Sequence, residues 1–278
     1  MEQMENAKSI KTKLSERTIK AYTREIEKFE KNFQNLYGMA PEKATDEQIN
    51  AYILKCYPEL ISSNSSLAIH YAAIKYWYNR TFQKNLTLPV PYPSTHSAPQ
   101  RILEKEELDA LFENTRNHIC GIMIRLIYGS GIRLHEIVRI RVGDVNFDDL
   151  RIELRNEDDE VSHSTIFPGS IKFDLMRETY GKEDKDFLFS LRKGSSGEYV
   201  PVSRRTLQHY LAKSAEALNL GKVTTQTLRD NFAIHLIQKG VNPKKLMKLM
   251  GYKNIRSVLR YTRLVPDSDI RVSSPLSD

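Results

Sequence analysis

The chain is short of the features that mark several protein classes. It has two cysteines, Cys56 and Cys120, far apart and without a CxxC partner, so neither a disulfide framework nor a zinc knuckle is available. Both cysteines fall on apolar helical patterns and are expected in the core. No apolar run approaches the ~18 residues that span a bilayer, and the opening MEQMENAKSIKTKLSER has no apolar stretch of the kind a signal peptide needs. The expectation is a soluble, cytoplasmic protein with no membrane partner. Acidic charge is also scarce in one region. Between Lys222 and Arg263 ten lysines or arginines accompany a single acid, Asp230.

What is present is a chain of 278 residues with 40% hydrophobic side chains, enough for a sizeable core and for two domains. The formal net charge of +7 favours an anionic partner. Residues 1–88 carry 13 basic and 10 acidic side chains, so positive charge lies on both halves. That suits a protein gripping one polyanion from two sides.

Residues 1–14 show no periodicity and read as a flexible arm. From Ser15, the residues Ile19, Tyr22, Ile26, Phe29 and Phe33 recur at helical spacing until Gly38 and Pro41 break the pattern. Thr45 to Gln48 has capping-box form and opens a second helix with Ile49, Tyr52, Ile53 and Cys56 on one face. The SSNSS run reads as a loop, and Leu67, Tyr71, Ile74 and Tyr78 mark a third helix. Residues 15–85 thus predict a small helical domain whose aromatics are core rather than base-stacking platforms. Residues 86–100 hold prolines 89, 91, 93 and 99, and predict an extended linker. Such a segment rises ~3.1 Å per residue and can tether two halves of a clamp.

Residues 101–278 predict a second, mainly helical domain. Helices are expected at 104–114, around Ile119 to Ile127, at 171–181 and at 204–218, with strands at 150–155 and 164–167 forming a hairpin. In GSGIRLHEI two glycines flank Ser130 at a corner and put Arg133 at the start of a helix. Further on, Leu228, Phe232, Leu236 and Ile237 bury one helical face, with Arg229 at the helix start and Asp230 beside it. Gly240 and Pro243 separate that helix from one carrying Leu246, Leu249 and Met250 inward. Gly251 closes it, and a short segment with Ile255, Val258 and Leu259 as apolar positions leads to Tyr261.

The ordered strings TLRDNFAIHL, LMGYKNI and RYT, together with GSGIRLHEI, resemble the catalytic half of the tyrosine site-specific recombinases, the phage-integrase family. The helical order of residues 15–85 is similar to the core-binding domain of that family. The resemblance implies a mainly α (α+β) fold, with a helical DNA-binding domain followed by a mostly helical catalytic domain bearing a short antiparallel sheet. It implies site-specific recombination or integration on double-stranded DNA through a covalent 3′-phosphotyrosyl intermediate, by a multimer of four protomers. It also implies Arg133 and Arg229 as phosphate-binding guanidinium groups, Glu136 as the acid near the first of them, and Tyr261 as nucleophile. Two guanidinium forks can stabilise the charge of a trigonal-bipyramidal phosphorane, and a tyrosine ester conserves the bond energy. No metal, nucleotide or other cofactor is called for.

Four family positions are altered. In the form H-x-L-R-H the histidines are replaced by Gln226 and Asp230, and Gln226 can hydrogen-bond a phosphate without acting as acid or base. The position after Leu-Met-Gly is Tyr252, which can pack against and donate to phosphate. The hairpin turn NEDDEV lacks the lysine that the family uses to protonate the leaving 5′ oxygen, with Arg155 and His163 as the candidates to replace it. Lys222, Lys244, Lys245, Lys253, Arg204 and Arg205 are the expected contacts to the DNA backbone. The alternatives are a catalytically impaired relative that binds DNA as an architectural or regulatory protein, and an unrelated helix-turn-helix regulator suggested by GVNPKKLMKLMGYKN.

Overall fold

The structure, a computed structural model, describes residues 14–59, 64–86, 101–156, 158–192 and 199–265. The arm at 1–13, the proline-rich stretch 87–100 and the tail beyond 265 lie outside the described residues. So does the side chain of Cys56. The chain divides into two compact units, Met1–Ala98 and Pro99–Asp278.

In the first unit, Ser15 caps α1 (Glu16–Tyr37) by accepting from the Thr18 amide, and Gly38 ends it with φ 66°. The Thr45 and Gln48 side chains satisfy each other's backbone N–H groups at 3.3 and 3.0 Å and open α2 (Asp46–Glu59). α3 (Asn64–Phe82) begins within the SSNSS run that the sequence suggested was loop, so that run supplies the helix's first turn. Phe29, Phe33, Tyr52, Tyr71 and Tyr78 are all buried, which makes the aromatics the core of a helical unit. The Tyr78 hydroxyl donates to the Pro41 carbonyl at 2.6 Å and ties α3 to the turn between α1 and α2.

In the second unit, α4 (Lys105–Glu113) and α5 (His118–Ser130) lead to the one-turn α6 (Leu134–Ile137). β1 (Val145–Asn146), β2 (Arg151–Arg155) and β3 (Val161–Ile166) form an antiparallel sheet in that order, its register shifting between Leu154 and Arg155. α7 (Lys172–Thr179) and a separate hairpin, β4 (Ser190–Arg192) with β5 (Tyr199–Pro201), precede α8 (Arg204–Ala217). The chain then runs through α9 (Thr225–Gln238), α10 (Pro243–Leu249) and α11 (Arg256–Thr262).

α5 is apolar almost all round, and Cys120, Ile122, Met123, Ile124, Leu126 and Ile127 are buried. Such a helix must be covered on every side, and α8 and α9 pack on it. Asn231, fully buried on α9, accepts from the Leu103 amide at 2.7 Å and donates to the Arg101 and Thr227 carbonyls. This pins the start of the unit to its central helix. Around α9 to α11 a second cluster gathers Phe232, Ile234, Ile237, Leu246, Met250, Val258 and Tyr261.

Two sequence expectations need correction. Leu259 is exposed rather than inward, because Val258 and Tyr261 define the buried face of α11. Arg229 is not at the start of α9 beside the buried face but a full turn in and itself buried, as is Asp230.

Gly131 ends α5 with φ 65°, and a Cβ there would overlap the Phe232 ring of α9. Left-handed backbone and a filled neighbour space both require glycine. Gly131→Ala is expected to lower unfolding free energy by about 2–4 kcal/mol, from strain plus overpacking, as read by chemical denaturation.

Candidate active site

The site is built around one turn. α10 ends at Gly251 with φ 61°, which turns the Met250 and Gly251 carbonyls toward two arginines. Arg229 Nη2 donates to the Met250 carbonyl at 2.7 Å, and Arg133 Nη2 to the Gly251 carbonyl at 3.2 Å. Tyr252, the next residue, offers its ring to both guanidinium groups, 4.9 Å from Arg229 Cζ and 5.3 Å from Arg133 Cζ.

Arg133 is the N-cap of α6. Its amide and Nη1 bind the two oxygens of Glu136 at 2.8 and 2.7 Å. Burial pushes the Glu136 carboxyl up, but the Arg133 charge outweighs this and holds it below the ordinary range. Arg229 has no such partner. It is 2% exposed, its Nε has no hydrogen-bond acceptor, and burial lowers its pKa. Among the described residues no carboxylate forms an ion pair with it.

Tyr261 is fully buried on α11. Its hydroxyl donates to Asp230 Oδ1 at 2.7 Å, lies 3.1 Å from the Tyr252 hydroxyl, and accepts from Arg260 Nη2 at 2.5 Å. Burial first, and then the bond to Asp230, push the phenol above its ordinary value. Gln226 reaches down one turn of α9 and donates to the same Asp230 oxygen at 2.8 Å.

The sheet adds His163. On β3, its imidazole packs against the backbone of Gly251, where any Cβ would overlap the ring, and Ser162 Oγ sits 2.9 Å from Nδ1. Burial lowers the His163 pKa, Glu136 opposes this, and Arg133 and Arg229 reinforce it. Arg155 is engaged elsewhere. Its Nε binds Asp144 at 2.8 Å and its Nη1 the Asp159 carbonyl at 3.0 Å.

The structure therefore brings Arg133, Arg229, Tyr252 and His163 around one turn, and joins Tyr261, Gln226 and Asp230 by hydrogen bonds beside it. Lys222, Lys244, Lys245, Lys253, Arg204 and Arg205 stay outside this cluster and are exposed. Arg260 was missed from sequence. Its only signal was its place beside Tyr261 in the basic block. Among the described residues no group of three or more His, Cys, Asp or Glu side chains is arranged to hold a metal, and no helix is long and apolar enough to cross a membrane.

Comparison with known proteins matches residues 101–267 to the phage integrase family and residues 1–88 to the phage integrase N-terminal SAM-like domain. The chain is 24% identical over 265 residues to the tyrosine recombinase XerA of Saccharolobus solfataricus, covering 91% of this chain and 84% of that protein. It is 26% identical over 295 residues to tyrosine recombinase XerD of Staphylococcus epidermidis, covering 98% and 95%. Among solved structures, the Tn1549 transposon integrase in complex with circular intermediate DNA superposes with a TM-score of 0.70 at 16% identity, over 90% of this chain and 91% of that one. The XerH site-specific recombinase in a post-cleavage complex gives 0.68 at 17% identity, over 88% and 76%. With family models spanning both units, this chain belongs to the phage integrase family of tyrosine recombinases.

Proposed function

We propose that the protein is an active recombinase that cuts and rejoins double-stranded DNA at specific sites, with Tyr261 as nucleophile. The observation that carries this reading is the buried, unpaired guanidinium of Arg229. An uncompensated cation inside a protein costs several kcal/mol, and a structure retains one where an anion arrives to complete it. A phosphodiester between Arg133 and Arg229 supplies that anion. Both forks then face the nonbridging oxygens, whose charge grows in the transition state. The same pair argues against a purely architectural role, which exposed lysines would serve at lower cost.

Of the two candidates for the missing lysine, Arg155 and His163, His163 is the one beside the arginines, and we assign it the proton for the leaving 5′ oxygen. The 3′ phosphate stays on Tyr261 until a 5′ hydroxyl displaces it. The relatives with solved DNA complexes support DNA as the partner, and pairing of two sites for strand exchange requires several protomers, four in the proposed assembly. Residues 15–85 serve as the core-binding domain, 86–100 as the linker and 101–278 as the catalytic domain. The exposed Lys222, Lys244, Lys245, Lys253, Arg204 and Arg205 contact the backbone. The reaction needs no cofactor because the phosphotyrosyl ester stores the bond energy.

With Tyr261→Phe the covalent adduct on a nicked duplex should vanish while DNA affinity stays within about threefold, since one hydroxyl is lost. An adduct that persists and maps to another tyrosine overturns the assignment. Arg229→Ala and Arg133→Ala should each slow cleavage by about 10²–10³-fold in single-turnover assays, the scale of losing a donor to a developing oxyanion. Binding of the full chain should weaken steeply with salt, with a slope of log K on log salt of about −0.9 per phosphate neutralised.

In the cleavage step His163 acts as imidazolium, and burial together with the two arginines favours its neutral form. Cleavage of the ordinary oxygen ester should therefore fall as pH rises through the histidine range. A 5′-bridging phosphorothiolate, whose thiolate leaves unprotonated, should lack that limb. His163→Ala should be slow on the oxygen ester and near normal on the sulfur one. Equal slowing of both esters would remove His163 from this role.

A further inference from the structure

Gln226 occupies a position where the family pattern has histidine, and a carboxamide can neither give nor take a proton under these conditions. In this chain it donates to Asp230, and Asp230 in turn receives the Tyr261 hydroxyl proton in a 2.7 Å hydrogen bond. Asp230 is the one acid between Lys222 and Arg263, and it is 4% exposed. A buried carboxylate in a block built for phosphate works against DNA affinity, so its place against the nucleophile needs a cause.

Resting on the assignment of Tyr261 as nucleophile, we infer that Asp230 is the catalytic proton acceptor for Tyr261, with Gln226 as the positioning residue that fixes its oxygen. As the Tyr261 oxygen bonds to phosphorus, its proton passes to Asp230 Oδ1. The bond from phosphorus to the 5′ oxygen breaks, and that oxygen keeps the electron pair and takes a proton from His163. In rejoining, His163 takes the proton of the attacking 5′ hydroxyl and Asp230 returns its own to the departing phenolate. No oxidant, metal or further reactant enters.

The chemistry requires transfer during attack rather than before it. Burial and the bond to Asp230 raise the phenol above its ordinary value, so no standing phenolate is held ready. Once the oxygen is partly bonded to phosphorus it gives up electron density, its proton becomes more acidic than a carboxylic acid, and transfer runs downhill. The surrounding charges fit this. Arg260 Nη2 is 2.5 Å from the Tyr261 oxygen and 3.4 Å from Asp230 Oδ1, and Tyr252 places its hydroxyl 3.1 Å from the Tyr261 oxygen. Arg229 is the neighbouring residue on α9. Arg260 thus faces the carboxylate while it is charged and the phenol oxygen while it carries charge.

The test uses the full chain and the 5′-bridging phosphorothiolate duplex, so that leaving-group protonation drops out. Asp230→Asn preserves size and an acceptor oxygen but cannot take a proton. It is expected to bind DNA at least as tightly as the parent does and to form the adduct about 10²-fold or more slowly. Replacing Tyr261 with a fluorotyrosine of lower phenol pKa should then recover most of that loss in the Asp230→Asn chain, while changing the parent little. As a measurement that needs no variant, the parent should show a normal solvent deuterium isotope effect on this substrate. Adduct formation by Asp230→Asn within threefold of the parent overturns the inference. So does a loss that fluorotyrosine leaves untouched, which marks Asp230 as a structural anchor. A parent chain that binds but forms no adduct overturns the recombinase reading itself and this inference with it.

Discussion

The second unit depends on keeping one guanidinium, that of Arg229, inside the protein without a carboxylate. Such a group survives burial only if its donors are met by fixed dipoles, and the Met250 carbonyl at 2.7 Å and the Tyr252 ring supply part of that. The remaining Nε is left open. The turn at 250–252 is thus a binding element as well as a helix terminus. Its left-handed Gly251 aims one carbonyl at each arginine and leaves a surface without a side chain, on which His163 lies.

Because the turn, α6 and β3 meet there, the proposed chemistry is distributed over three stretches distant in sequence. α5 and α9 hold them in place through the packing of Gly131 on Phe232. Thr165 Oγ1 adds a bond from β3 to the Ser130 carbonyl at 2.8 Å, tying the sheet to the same corner. A shift of that corner would move Arg133 and His163 together, since Arg133 follows Gly131 by two residues and His163 precedes Thr165 by two.

Tyr261 is at once a core residue of the α9 to α11 cluster and the proposed nucleophile. Its ring is held by Val258, Ile234 and their neighbours, while its hydroxyl joins the polar group of Asp230, Tyr252 and Arg260. This arrangement sets the hydroxyl in the packed cluster and screens it from water. Where the family pattern has histidines, this chain has Gln226 and Asp230 hydrogen-bonded to each other, so the two replacements act as one unit rather than as two separate losses.

The sequence by itself determined the helical order, the capping box at Thr45, the breaks at Gly38, Gly131 and Gly251, and the family. Each of these is local, set by a few residues around one backbone turn or by an ordered string such as TLRDNFAIHL. It also drew attention to Arg133, Arg229 and Tyr261, through motif rather than through any property of the isolated residue. Tertiary structure decided the rest. Arg229 and Asp230 lie inside rather than at a helix start, because α10 and α11 fold back over α9, an event that periodicity within one helix cannot register. Leu259 faces outward for the same reason, since the covered face of α11 is chosen by its partners. Strand pairing puts His163 rather than Arg155 beside the two arginines, and Asp144 holds Arg155 away. The contact of Asp230 with Tyr261 spans 31 residues and depends on a crossing of two helices, so only the assembled fold could bring that carboxylate to that hydroxyl.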